Sequence, residues 1–262
     1  MNTARSVTTD EDEHLFIGHW ARRLAFGAVL THSEQWQFQG WRQGYGALLL
    51  ALLPFPLVFL ALYIFHNAWL AFGLYHAVCL GGWLLFRPAN SDRPRLSWHA
   101  LHWLMLLVGC ALVNFAVFQI APFLAPILHP ARLAHSLAAL HAVGPPVVTA
   151  GLFAYFGLVN PLFEELFWRG AVYARLRESG WPAPRCVLIS SVLFGAWHVV
   201  PLMRLLGVGL AVVGVVGIMA FGAALARIYE RSRLAAYLLH ALGGDWPALA
   251  ALWVVVVRPG HG

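Results

Sequence analysis

The sequence predicts an all-α fold, a polytopic bundle of about seven or eight transmembrane helices. Hydrophobic residues make up 60% of the chain and charged residues 11%, and the mean hydropathy is +0.70. Soluble domains usually hold about 45–50% apolar and about 25% charged residues. The apolar runs are close to the ~20 residues that a helix needs to cross a bilayer. They do not show the short alternating segments of an outer-membrane barrel.

The chain divides into three predicted regions. Residues 1–43 are a polar to amphipathic lead-in that we expect to lie on the membrane surface. Residues 44–136 hold the N-terminal membrane helices, and residues 137–258 form a C-terminal membrane core; a Pro-, Arg- and Ser-rich stretch at 87–99 is predicted to be an exposed loop. The predicted spans are about Gly44–Phe65, Ala68–Phe86, Leu101–Ala121, Leu137–Leu158, Cys186–Met203, Leu205–Ala226 and Leu234–Val257. A further helix is predicted to start at Asn160-Pro161 and to end near Glu178, before SGWPAP.

The arginines predict the orientation in the membrane. All 17 basic residues are arginines, because the chain has no lysine. With a cytoplasmic N-terminus and a helix 160–178 that enters only partway, fourteen arginines lie inside, and Arg132, Arg204 and Arg258 lie outside. Cytoplasmic loops carry an excess of arginine. This bias favours a helix 160–178 that enters partway from the cytoplasmic side.

Composition also excludes several classes of protein. The net charge of +6 comes from arginines scattered at the ends of apolar runs, which is typical of lipid anchors and not of a nucleic-acid surface. Cys79, Cys110 and Cys186 lie far apart inside apolar runs, so we expect small core residues and no disulfide or metal framework. The acidic, polar N-terminus does not resemble a cleaved signal peptide. The chain has no H-E-x-x-H, G-x-S-x-G or Walker A motif.

The stretch NPLFEELFWRG places charged side chains in apolar surroundings, where they are costly and usually functional. On a helix, Glu165 and Arg169 are four residues apart and can pair on one face. Glu164 points about 100° away from Glu165. One carboxylate is thus neutralised, while the other stays free to act as a general base on water. The alternative is a purely structural ion pair that ties helices together.

Two histidine-bearing helices follow this stretch. VLFGAWHVV puts Phe194 and His198 on one helix face, and YLLHALGGDW puts His240 five residues before Asp245. Glu164 with two histidines is enough for a hydrolytic site, since one histidine can help to polarise water and the other can stabilise an oxyanion. The same three residues can also ligate zinc with an open position. Four other histidines are expected only to pack between helices: His66, His76, His102 and His141.

These motifs resemble those of the CPBP intramembrane proteases, also called the Abi or CAAX-protease-like family. EELFWRG is similar to that family's EExxxR motif, and FGAWH to its FxxxH motif. His240 matches the first half of a third motif, a histidine followed four residues later by Asn or Asp. The resemblance covers about Leu152–Val257, and it makes residues 137–258 a catalytic core.

The resemblance implies a role for each matched residue. Glu164 would activate water with help from His198, and His240 would stabilise the tetrahedral intermediate. Glu165 and Arg169 would orient the motif helix, and Phe194 would shape the pocket wall. The sequence departs from the family at Gly244, which occupies the Asn or Asp position. Either a helix distortion at Gly243–Gly244 brings Asp245 into the pocket, or Asn160 takes that place.

The predicted function is an intramembrane endopeptidase that cleaves a membrane-anchored peptide or protein tail. No cofactor is required by the motifs, although zinc on Glu164, His198 and His240 stays open. The alternatives are a non-catalytic protein on the same fold, such as an immunity factor or scaffold, and a proton-coupled transporter. The Arg- and Trp-rich, Lys-free composition indicates a high-GC bacterium, so we expect a multi-pass protein of the bacterial cytoplasmic (inner) membrane.

Overall fold

A computed structural model of the chain describes residues 44–86, 98–143 and 145–257. These residues are helical almost throughout and contain no strand, which confirms the predicted all-α class. The predicted surface-lying lead-in, residues 1–43, and most of the predicted loop at 87–99 lie outside the described residues.

Seven helices within the described residues are long and apolar enough to cross a membrane. An eighth, shorter helix is amphipathic, with Leu133 and Leu137 buried on one side. In chain order the helices are α1 Gly44–Ile64, α2 Ala68–Phe86, α3 Ala100–Leu128, the short α4 Pro130–Ala139, α5 Pro146–Glu178, α6 Ala183–Leu206, α7 Val208–Tyr229 and α8 Arg233–Val256. The protein is therefore a multi-pass membrane protein, as predicted.

The predicted break before Asn160 is wrong. Asn160-Pro161 lies inside α5, which is one continuous helix of 33 residues starting at Pro146. A π-helical turn precedes Pro161, and the Asn160 backbone N–H donates to the Tyr155 carbonyl. The wider turn accommodates the proline ring without ending the helix. At about 50 Å, α5 is longer than the hydrocarbon core of a bilayer, so the separate, partly inserted helix is not observed.

One more predicted boundary is wrong. Pro122 and Pro126 do not end the third span, because α3 continues through both to Leu128. The predicted end of the motif helix near Glu178 is confirmed, and Gly180 follows it with φ +86°. A left-handed residue of this kind is the common way to turn a chain out of a helix.

π-helical turns recur in α5, which carries Glu164 and Glu165, and in α8, which carries His240. In α5 they cover Tyr155–Val159 and Glu165–Tyr173, and in α8 they cover Ala241–Asp245 and Trp253–Val257. Such turns insert one extra residue in an α-helix and are frequent at functional sites. The first α5 turn lies against α8, since a Cβ atom on Gly157 would meet Trp246 Nε1 at 3.0 Å.

α6 and α7 pack closely through glycines. A Cβ atom at Gly195 would lie 2.3 Å from Met219 Cγ, and one at Gly222 would lie 2.8 Å from Phe194 Cδ1. Small residues let membrane helices approach until their backbones nearly touch. This contact fixes the middle of α6, where His198 lies.

Candidate active site

The two adjacent glutamates of α5 are both buried, and they hold one imidazole between them. Glu164 is 1% exposed and Glu165 5%. His240 Nε2 lies 3.1 Å from Glu164 Oε2, and His240 Nδ1 lies 2.8 Å from Glu165 Oε1. An ionised carboxylate only accepts hydrogen bonds. The arrangement is therefore that of a doubly protonated, cationic His240 clamped by two carboxylates.

The predicted ion pair between Glu165 and Arg169 is present. Arg169 Nη1 donates to Glu165 Oε1 over 2.9 Å, and Nη2 donates to the Gly222 carbonyl over 3.2 Å. The guanidinium carbon also lies 4.3 Å from the centre of the Phe194 ring. Arg169 thus ties α5 to α6 and α7 while it compensates a buried carboxylate, as such a group requires.

Phe194 lies behind the site and does not form a wall of the cavity described below. Its ring meets His240 edge-on at a centroid distance of 5.7 Å and His198 at 5.1 Å. It is 1% exposed, because the Arg169 guanidinium covers its face. The predicted role of Phe194 in shaping the pocket is therefore indirect: it supports the two histidines.

His198 occupies the break between the two halves of α6. Its Nδ1 lies 2.7 Å from the Phe194 carbonyl, which can only accept, so Nδ1 carries the hydrogen. In the neutral ring this leaves Nε2 with a free lone pair. No hydrogen bond joins His198 directly to Glu164, although both side chains border the same cavity.

Asp245 and Asn160, which the sequence offered as alternatives, lie together. Asn160 Nδ2 donates to Asp245 Oδ2 over 3.2 Å, and Asp245 Oδ1 lies 3.7 Å from His240 Nε2. Asp245 reaches this position because the π-helical turn Ala241–Asp245 adds one residue between it and His240. The helix distortion at Gly243–Gly244, one of the two alternatives that the sequence offered, is thus present.

Sequence reasoning missed two residues of α2. The Tyr75 hydroxyl accepts a hydrogen bond from Trp168 Nε1 over 2.8 Å and lies beside the Glu164 carboxylate. His76 was expected only to pack, but its Nε2 lies 3.1 Å from Asn160 Oδ1. The one available signal was an adjacent Tyr–His pair inside an apolar span.

The other three histidines that were expected to pack between helices are exposed. His66 and His141 stand at helix ends with φ near +50°, and His102 lies in the first turn of α3. The expectation was therefore wrong for all three, because an interhelical position requires a residue well inside a span.

The site opens on an apolar cavity of about 380 Å³. Four polar side chains line it, Asn160, Glu164, His198 and Asp245, and two aromatic residues, Tyr75 and Trp197, border them. All other lining residues are apolar, and α7 contributes none of them, whereas Leu133 and Leu137 of α4 are among them. Apolar pockets with a few convergent polar groups are the usual form of a ligand or substrate site.

The residues do not fit the zinc site that the sequence left open. Both ring nitrogens of His240 face carboxylates, which leaves neither nitrogen a lone pair for an ion. Within the described residues, no three His, Cys, Asp or Glu side chains are grouped so that they could hold a metal ion.

Fold and site together define a polytopic membrane protein with a buried acid–histidine site open to an apolar cavity. Comparison of sequences then gives the family. A sequence model described as Type II CAAX prenyl endopeptidase Rce1-like matches residues 146–243, from the start of α5 to the π-helical turn of α8. Residues 146–243 thus belong to the CPBP, or CAAX-protease-like, family, which confirms the motif-based prediction. The curated proteins and solved structures compared with the chain gave no match.

The family is a family of proteases, so this part of the chain is the domain of a membrane-embedded peptide hydrolase. Such an enzyme acts on a peptide substrate in a membrane environment. The matched region ends at Gly243, immediately before the position at which the sequence departs from the family motif. It does not include α2, which contributes Tyr75 and His76.

Proposed function

We propose that the protein is an intramembrane endopeptidase in which Glu164 activates a water molecule for attack on a peptide bond. The observation that supports this most directly is the position of Glu164. It is buried at the wall of an apolar cavity, with His240 on one carboxylate oxygen and His198 bordering the same space. A carboxylate held in this way is a general base with very few competing partners.

The first step is addition of water. Glu164 takes a proton from the water, and the hydroxyl oxygen forms a bond to the substrate carbonyl carbon. His198 accepts a hydrogen bond from the same water at Nε2, since its Nδ1 hydrogen is engaged by the Phe194 carbonyl. Positioning and deprotonation together typically account for about 10²–10⁴-fold in rate.

The oxyanion that forms needs donors that do not carry negative charge. Once Glu164 has taken the proton from water, the His240 Nε2–H group no longer faces an ionised carboxylate and can donate to the oxyanion, and the Asn160 amide supplies a second N–H group. Asn160 has two amide hydrogens and gives only one to Asp245. Asp245 therefore acts as an acceptor that holds Asn160, and it does not contact the oxyanion. Collapse of the intermediate breaks the C–N bond, and the proton held by Glu164 passes to the leaving amine.

The cavity supports a substrate with a bulky apolar residue near the cleaved bond. Nearly all of its lining is aliphatic or aromatic, and it lies within the membrane-spanning helices. A membrane-anchored peptide or protein tail matches this chemistry. The composition supports a bacterial cytoplasmic membrane as the location.

The test uses a panel of epitope-tagged single-span membrane anchors, each co-expressed with the wild type, Glu164→Gln or Glu178→Gln. Glu178 is the control, because it lies at the exposed end of the same helix and pairs with Arg175. We expect anchors cleaved by the wild type and Glu178→Gln to be cleaved at least about 100-fold more slowly by Glu164→Gln. Mass spectrometry of the products identifies the cleaved bond.

The purified protein is then assayed on the best anchor with and without 1,10-phenanthroline. Unchanged cleavage supports the metal-free arrangement of Glu164 and the histidines. Loss of cleavage that added zinc restores would contradict it. Cleavage by Glu164→Gln at the wild-type rate would overturn the proposed function as a whole, and a non-catalytic scaffold would leave every anchor intact.

A further inference from the structure

His76 of α2 is a buried histidine outside the family-matched region, and it contacts the site through Asn160. It is 6% exposed, although it lies in an otherwise apolar span. Its ring stacks on Phe163 at a centroid distance of 4.7 Å and on Phe72 at 6.2 Å. The ring plane is therefore fixed by packing, and its two nitrogens point to defined partners.

These partners form one chain of hydrogen bonds across three helices. His76 Nδ1 contacts the Tyr155 hydroxyl, and His76 Nε2 lies 3.1 Å from Asn160 Oδ1. Asn160 Nδ2 in turn lies 3.2 Å from Asp245 Oδ2. The chain joins α2, α5 and α8.

The direction of every hydrogen bond in this series follows from the Asp245 carboxylate at its end. The Asp245 carboxylate accepts, so the Asn160 amide nitrogen must face it and Oδ1 must face His76. His76 then donates from Nε2, and its Nδ1 accepts from the Tyr155 hydroxyl. If the Asn160 amide were turned over, its oxygen would oppose the Asp245 carboxylate and its hydrogens would oppose the His76 N–H.

We propose that His76 is a positioning residue of the active site, which holds the Asn160 amide so that an N–H group faces Asp245 and the cavity. The catalytic consequence rests on the proposed function, because Asn160 is the neutral oxyanion donor in that mechanism. The inference about the orientation of the Asn160 amide does not depend on the proposed function. His76 thereby compensates for the glycine at the family's Asn or Asp position, from a helix that the family match does not include.

The first test does not require a substrate. Nitrogen-15 NMR of histidine-labelled protein in detergent micelles, compared with His76→Gln, isolates the His76 signals by difference. We expect a neutral ring with hydrogen on Nε2 and none on Nδ1. A neutral ring with hydrogen on Nδ1 and none on Nε2 would reverse the hydrogen bond to Asn160 and overturn the inference.

The second test separates hydrogen bonding from packing. Glutamine places its amide nitrogen near the position of Nε2, whereas asparagine places it near Nδ1. We therefore expect His76→Asn to lower kcat about tenfold on the anchor that the wild type cleaves fastest, with KM little changed. His76→Gln should keep most of kcat. His135→Asn, in the exposed position on α4, is the matched control.

Equal kcat for His76→Asn and the wild type would overturn the inference, as would an equal loss in His76→Gln and His76→Asn. Neither result bears on Glu164, which Glu164→Gln tests separately. If the wild type cleaves no anchor, the proposed function fails, and the NMR measurement still decides the position of the amide. Unfolding midpoints of all variants in detergent show whether a loss of kcat comes from a loss of folded protein.

Discussion

The Glu165 carboxylate accepts hydrogen bonds from both buried cationic side chains of the site, Arg169 and His240. Its Oε1 receives both Arg169 Nη1 and His240 Nδ1, while Oε2 has no hydrogen-bond partner among the described residues. Removing one member of a buried charge pair typically costs about 3–5 kcal/mol, because the other is left uncompensated. The position of Arg169 is in turn set by the Gly222 carbonyl and the Phe194 ring.

Gly222→Ala tests this packing at the residue scale. The new Cβ would lie 2.8 Å from Phe194 Cδ1 and 3.5 Å from Arg169 Nη2, so the ring and the guanidinium must move. We expect a loss of about 1–3 kcal/mol in unfolding free energy in detergent, together with lower activity. Gly217→Ala, on the same helix with open space around its Cα, should change stability by less than about 1 kcal/mol. Equal stability of the two variants would show that the contact is not tight.

At the scale of helices, two π-helical turns face each other and place the two polar residues that complete the site. Asn160 directly follows the turn Tyr155–Val159, and Asp245 ends the turn Ala241–Asp245. Each turn shifts the register by about one residue, so two side chains that an α-helix would direct elsewhere meet at 3.2 Å. The Gly157–Trp246 contact fixes one turn against the other.

Deletion of Gly244 should convert the α8 turn to an α-helix and place the aspartate four residues after His240. We expect this variant to fold and to keep activity within about tenfold, because α8 beyond the turn keeps its orientation. Deletion of Leu238, in the α-helical part before His240, should abolish activity, since it rotates one side of the helix by about 100°. Both are assayed by anchor cleavage and by yield of folded protein.

Placing the family's asparagine at position 244, while the π-helical turn keeps its extra residue, should not improve activity. A Cβ atom at Gly244 would lie 2.8 Å from Phe221 Cε1, so Gly244→Asn clashes with α7 and does not present an amide to the cavity. We expect this variant to be less stable and less active than the wild type. Higher activity would contradict the assignment of Asp245 and Asn160 to the site.

For the whole molecule, the continuous α5 changes how the arginine bias is explained. The bias favoured a partly inserted helix 160–178 only because residues 137–158 were counted as a separate span. Because α5 is a single crossing, the seven spans still divide the arginines fourteen to three, with Arg132, Arg204 and Arg258 on the sparse side. The bias therefore predicts a cytoplasmic N-terminus without a partly inserted helix.

Cysteine labelling in whole cells tests this orientation. In a background with Cys79, Cys110 and Cys186 replaced by alanine, we expect an impermeant maleimide to label His135→Cys but not Arg231→Cys until the cells are opened. Both positions are exposed, and they lie on opposite sides of the seven spans. The reverse pattern would place the fourteen arginines outside.

The sequence alone determined the all-α membrane class, the family and the pairing of Glu165 with Arg169. These follow from composition, from motif order and from a four-residue spacing on one helix, all of which are local in the chain. Only the tertiary structure decided that α5 is continuous, that Glu164 and Glu165 hold the same imidazole, and that Asn160, Asp245 and His76 meet. The physical reason is that these contacts join residues 75 to 85 positions apart through π-helical turns. The register of such turns depends on packing between helices and not on any one segment.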